Sequence, residues 1–207
     1  MRYGAHAFLW IDDWTTDKGN SAIDQAARAG FDFIEVPLLR PEEFDAASHR
    51  SMLRDAGIDA TASVVLPANA HMPEHPDRAL SFLISVMNQL GEIGGTYLCG
   101  CIAYHLGRLT GKPPTEDERR IVAETLAQVA EEAKKRGITL GFEVCNRYET
   151  YMYNTLADGR DAIRQIGNAA QATAASGAAD FGFADHQAVI QDLINAVAAD
   201  REVIIPV

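Results

Sequence analysis

Four times along this chain a helical pattern runs into a glycine and a short apolar run follows at once. The glycines are Gly30, Gly57, Gly94 and Gly137, and the runs cover residues 31–36, 58–66, 95–99 and 138–143. Glycine takes the left-handed conformation that ends a helix without a steric penalty, and each run has strand length. With residues 3–10 added, the pattern predicts five strands, followed by helices over 20–29, 42–56, 76–93, 115–136 and 156–166. Pro41, Pro76 and Pro114 stand near three of the helix starts, where the N–H that proline lacks has no partner to lose. Strands alternating with helices at this spacing pair in parallel through right-handed crossovers.

Two closures suit such a rhythm, an open doubly wound sheet and a barrel. An open sheet usually carries a glycine-rich phosphate turn after its first strand. Here that turn holds Trp10, Asp12, Asp13 and Trp14 and no G-x-G-x-x-G. Polar and aromatic residues gather instead at successive strand ends: His6 and Trp10, then Glu35, then Glu143 and Glu149. That distribution suits the catalytic rim of a (β/α)8 TIM barrel, which is the α/β class expected. Residues 163–167 repeat the earlier helix endings, but an Ala-rich stretch at 168–180 follows in place of a strand. A further helical pattern lies at 186–197 and an apolar end at 203–207. A full barrel takes ~250 residues. The expectation is therefore an incomplete one: 1–167 as about five βα units, and 168–207 as a linker, a helix and a short terminal strand.

At 207 residues the chain has room for one domain. Its 29 acidic residues outnumber its 18 Lys and Arg, for a net charge of -11. Such a surface repels nucleic acid and anionic membrane, so neither is expected as a partner, whereas a sugar or a divalent cation is compatible. The first residues show no basic segment leading into an apolar core, and no apolar run approaches the ~20 residues of a membrane helix. A cytoplasmic location is expected. Cys99, Cys101 and Cys145 lack zinc-knuckle spacing and fall in strand-like runs, as small buried hydrophobes of a reducing compartment do.

The chemistry concentrates where the fifth run ends, at Glu143, with Asn146, Arg147 and Glu149 close behind. Acids at a buried strand end are costly unless a metal, a cation or a substrate meets them. Pointing inward at a barrel rim, Glu143 would ligate a cation or act as a base; the plainer alternative is a salt bridge to Arg147 or another basic residue. Glu149 alone reads as a solvated loop acid, and Asn146 and Arg147 as turn caps. His71 and His75 read as solvated loop histidines, with pocket lining the alternative. His49 belongs to a helix face and His105 to a loop. Trp14 either covers the mouth of a site or packs on the first helix. The basic residues 134–136 complement a helix dipole.

The run from Glu143 to Glu149, Glu-Val-Cys-Asn-Arg-Tyr-Glu, resembles the E-x-x-N-R-F/Y-E signature of the ketose 3-epimerases of the xylose isomerase-like barrel superfamily. These are the D-tagatose, D-allulose and L-ribulose 3-epimerases. The opening strand around His6 and Phe8 is most similar to the L-ribulose 3-epimerase type, and the likeness covers about residues 1–167. The resemblance implies an isomerase of carbohydrate metabolism. In it a Mn2+ or Mg2+ ion grips a ketose, and two glutamates move the C3 proton through a metal-bound enediolate. Carried over by position, Glu143 is the first metal ligand and one of the two acid–base residues. Glu149 bonds the hydroxyl end of the sugar, while His6 and Cys101 line the pocket. Cys101 and Leu106 fall where several relatives carry a tryptophan. The family's next motif, D-T-F-H-M-N-I-E, has no counterpart after Gly167, and Asp185 with His186 does not fit it. The later ligands are missing too. The expectation is a doubtful activity for this chain, with an inactive partial barrel that self-associates as a homo-oligomer, or binds a partner, as the alternative. Residues 185–203 are weakly similar to the C-terminal segment of glucose–fructose oxidoreductase and inositol dehydrogenase-type enzymes, which would make the tail a fused foreign piece.

Overall fold

The computed structural model describes residues 2–175, and the expected linker end, helix 186–197, terminal strand and foreign tail lie outside them. Among the described residues, five parallel strands alternate with five helices. They are β1 (Gly4–His6), α1 (Thr16–Arg28), β2 (Phe33–Pro37), α2 (Ala46–Ala56), β3 (Asp59–Val65), α3 (Pro76–Glu92), β4 (Tyr97–Cys101), α4 (Glu116–Lys135), β5 (Thr139–Leu140) and α5 (Leu156–Ala175). The strands lie in sequence order, each paired with its predecessor. This is the run of successive βα units of a TIM barrel. No described helix is long and apolar enough to cross a membrane.

Local chemistry sets each boundary. The side chains of Thr15 and Asp45 accept the N–H groups of Lys18 and Ser48 at the starts of α1 and α2. Thr115 and Glu118 form a reciprocal capping box on α4. Thr155 and Asp158 exchange the same bonds ahead of α5. All four expected helix-ending glycines have positive φ. Other boundaries differ from the sequence reading. β1 stops at His6 because its Nδ1 accepts the Phe8 N–H and caps a 3-10 turn over Ala7–Leu9. Residues 41–43 form a separate 3-10 turn ahead of α2. α5 runs straight through Gly167 to Ala175, since the Ala-rich sequence beyond it favours helix and nothing there demands a left-handed residue.

The strands are two-faced. On β2 and β3, Ile34, Val36, Ala60, Ala62 and Val64 are buried, and so is Leu98 on β4. They meet Leu83, Val86, Met87 and Leu90, the buried stripe of α3, and the apolar stripes of the other helices in one core. The alternate residues His6, Glu35, Thr61, Ser63 and Cys99 stay part-exposed on the other, concave face. Polar side chains therefore collect on the face that becomes a barrel lumen, while the core lies between sheet and helices.

Gly100 has a φ of 111°, and a side chain there would run into the Val64 carbonyl oxygen of β3. Gly57, with φ 70°, has open space around it. Gly100→Ala should therefore cost about 3 kcal/mol or more, from strain plus collision. Gly57→Ala should cost only about 1 kcal/mol for the left-handed backbone. Urea denaturation of the two variants measures the difference.

Candidate active site

β5 is shorter than expected, but the chain does not leave β4 where the strand ends. Gly141 N–H donates to the Leu98 carbonyl at 2.7 Å, and Glu143 N–H donates to the Gly100 carbonyl at 3.2 Å. The Glu143 carbonyl in turn accepts from the Tyr104 hydroxyl at 2.6 Å. A side chain at position 141 would meet Cys99 and Tyr97, which places that parity on the concave face. Glu143 has the same parity and is exposed there at the open end of β4 and β5. Partial burial, and then the carboxylate of Glu35, push its carboxyl above the usual value; Glu149 adds to the rise and the Cys145 thiol opposes it. Water on its open side screens these effects. Among the described residues no Lys or Arg pairs with Glu143, so the salt-bridge alternative with Arg147 is not what forms.

Asn146 caps the following turn, its Oδ1 accepting the Tyr148 N–H at 2.9 Å and its amide donating to the Glu149 carboxylate. The Glu149 carbonyl holds the Gly107 N–H at 2.7 Å, joining the β4 and β5 loops. Arg147 faces a different groove, with Pro113, Arg119 and Asp158. His6 sits across the concave face. Its Nδ1 is an acceptor, so Nε2 carries the proton and points at Ser63 Oγ, 3.2 Å away, with a Glu35 oxygen at 3.8 Å. Burial holds the imidazole below its ordinary pKa, against the pull of Glu35.

Cys101 is only 2% exposed, so it lies beneath the rim instead of forming an open pocket wall. Its Sγ is 3.5 Å from that of Cys145, whose own Sγ lies 3.8 Å from Glu143 Oε1. Burial raises both thiol pKa values. Sequence reasoning passed over Cys145 as a contact of Glu143, and Glu35 as its electrostatic neighbour. The signal for Glu35 was present: a charge at an alternate position of an otherwise apolar strand.

His71 corrects the expectation of a solvated loop residue. It is buried, accepts the His105 N–H at Nδ1 and donates from Nε2 to the Tyr151 hydroxyl at 3.4 Å. Tyr151 passes its proton bond on to Glu118 at 2.5 Å. The chain of bonds ties three rim loops to the start of α4. Trp14 packs on Phe44 and donates to His49, which is buried between α1 and α2 and bonded to Asn20.

As a site for a hard dication the described residues do not suffice. Mn2+ or Mg2+ calls for about six oxygen donors, and the cluster that converges here is Cys101, Cys145 and Glu143, with one carboxylate.

The family described as xylose isomerase-like TIM barrel matches residues 23–173. An L-ribulose 3-epimerase of Methylomonas sp. (strain DH-1) is 35% identical over 163 residues, 77% of this chain and 57% of its own length. A ketose 3-epimerase of Arthrobacter globiformis is 30% identical over 80% of this chain and 57% of its own. The crystal structure of D-allulose 3-epimerase from Methylomonas sp. in complex with D-allulose superposes with a TM-score of 0.77 at 32% identity, over 82% of this chain and 60% of that one. The chain thus spans just under three fifths of the length of the curated relatives that it matches.

A raised acid makes the fold bind its proton more tightly than the unfolded chain does. Between the ordinary and the raised pKa of Glu143, stability therefore falls as pH rises. Glu143→Gln should be more stable than the wild type at pH 7, by about 0.5 kcal/mol, with the gap closing below pH ~4. Urea midpoints of both proteins at pH 4 and pH 7 provide the check.

Proposed function

We propose, since the chain belongs to the xylose isomerase-like TIM barrel family, that its concave face takes a ketose and that Glu143 moves the proton at C3. The family is one of sugar isomerases and epimerases, with ketose 3-epimerases among the relatives of this chain. The carrying observation is Glu143 itself, a carboxylate seated by the β4 ladder at the rim, with a raised pKa and, among the described residues, no cation paired to it. In the ionised form it removes the C3 hydrogen next to the C2 carbonyl, leaving an enediolate. Return of a proton to the same face restores the starting sugar, and delivery to the opposite face gives the C3 epimer. A pKa lifted toward neutrality suits both halves of such a transfer. His6, with Nε2–H directed inward, and Glu149, at the loop edge, are the proposed hydroxyl-binding groups, and Cys101 backs the pocket from beneath. Glu143 is the one oxygen donor that the described cluster offers a Mn2+ or Mg2+ ion, too few to hold a hard dication by themselves. One base exchanges the C3 hydrogen; inversion needs a second acid on the other face.

Incubation of the full chain with L-ribulose or D-allulose in deuterated buffer, followed by NMR at C3, tests this. The expected result is deuterium at C3, slowed about 100-fold or more by Glu143→Gln. No exchange by the wild type, or undiminished exchange by the variant, would refute the assignment.

A second reading, a self-associating partial barrel, has its own support. β1 and β5 are the outer strands of the described sheet, and Phe8, Leu9 and Tyr97 are exposed large hydrophobics. Unpaired strand edges and apolar surface favour pairing of copies. Sedimentation of the full chain should then show a dimer or larger species, which Phe8→Glu with Leu9→Glu shifts toward monomer.

A further inference from the structure

We propose that Cys101, Cys145 and Glu143 form a site for a thiophilic dication, Zn2+ or Cd2+, at the rim of the concave face. The three donor atoms all lie within 4.8 Å of one another. The two sulfurs are 3.5 Å apart and Cys145 Sγ is 3.8 Å from Glu143 Oε1. Zinc bonds thiolate at about 2.3 Å and carboxylate at about 2.0–2.2 Å, so the edges of its tetrahedron measure about 3.5–3.8 Å. Two of the three edges already stand at nearly that spacing, and the third lies within 4.8 Å. A hard ion would gain little from two sulfurs, whereas zinc and cadmium prefer them.

The scaffold is suited to holding these positions. Cys101 ends β4, and the Cys145 backbone is pinned on both sides. Its N–H donates to the Tyr153 carbonyl at 3.1 Å, and its carbonyl accepts from the Asn154 amide at 2.9 Å. The Tyr104 hydroxyl holds the Glu143 carbonyl from below. Cys101 is buried while Glu143 is exposed, so an ion would enter from the concave side and keep its fourth position toward solvent. Binding exchanges protons for metal: Zn2+ replaces one proton on each of the two thiols, both protons pass to the buffer, and the carboxylate joins as it stands. The site then carries one negative charge. This inference stands apart from the sugar chemistry, because uptake of the ion requires no ketose.

Cobalt(II) titration of the full chain, reduced with a phosphine, tests it. The expected result is one equivalent of Co2+ giving a thiolate charge-transfer band and the visible bands of a tetrahedral ion, both displaced by Zn2+. Cys145→Ser should weaken Co2+ binding more than about 100-fold and, with Cys101 the one thiolate left, at least halve the charge-transfer absorption. Glu143→Gln should keep that absorption but bind less tightly. Circular dichroism establishes that each variant is folded, and since Cys145 is only half-buried its serine form is the primary test. Cobalt spectra without thiolate charge transfer, or binding unchanged in Cys145→Ser, would overturn the assignment.

Discussion

Two backbone hydrogen bonds, Gly141 to Leu98 and Glu143 to Gly100, carry the ladder past the end of β5, and the site depends on them. They keep the peptide extended for one more pleat, so Glu143 stays on the same face as Cys99 and Cys101 rather than turning away with the loop. Gly100 supplies the acceptor of the second bond. Its backbone lies so close to Val64 that a side chain would push β4 away from β3. Loss of that approach would move the carbonyl that seats Glu143. Packing at the middle of the sheet and placement of the acid at its rim are thus one constraint.

The order of strands and helices was legible because each helix ends in a residue whose backbone conformation differs from what precedes it. Gly30, Gly57, Gly94 and Gly137 all adopt positive φ, and that is a property of the residue type. The same rule misled at Gly167, where composition on either side favours helix and the glycine is carried along. His71 was illegible for a different reason. Its burial comes from Tyr151 and His105, far away in sequence, and a loop histidine has no periodic pattern to announce such partners. Glu143 was legible as an acid closing an apolar run, and the family resemblance was carried by the seven residues that begin with it. The meeting of Cys145 with Cys101 was not, since it needs the return of the chain across the Asn146 turn.

Charge is unevenly shared across the two faces of the sheet. Glu35 and Glu149 both raise the carboxyl of Glu143, and among the described residues none of the three pairs with Lys or Arg. His6, 3.8 Å from Glu35, has its imidazole pKa lowered by burial. Two cations near this end are engaged elsewhere: Arg108 with Glu74, Arg119 over the Tyr153 ring and close to Asp158. Excess negative charge in a part-desolvated place has two remedies, uptake of a proton or uptake of a cation. The raised pKa of Glu143 is the first remedy at work.

The two remedies compete for one carboxylate. As an acid–base group Glu143 must give up and regain a proton, which its neighbours' negative charge encourages. A dication seated on the two thiolates and this carboxylate would hold it ionised and occupied, because the positive charge reverses the local electrostatics. A face able to do both would have its proton chemistry switched off by a soft metal. The geometry that makes this so is the 3.5 Å approach of the two sulfurs directly behind the acid. A valine at position 145 would preserve the packing and the seat of Glu143, yet leave the carboxylate only the proton.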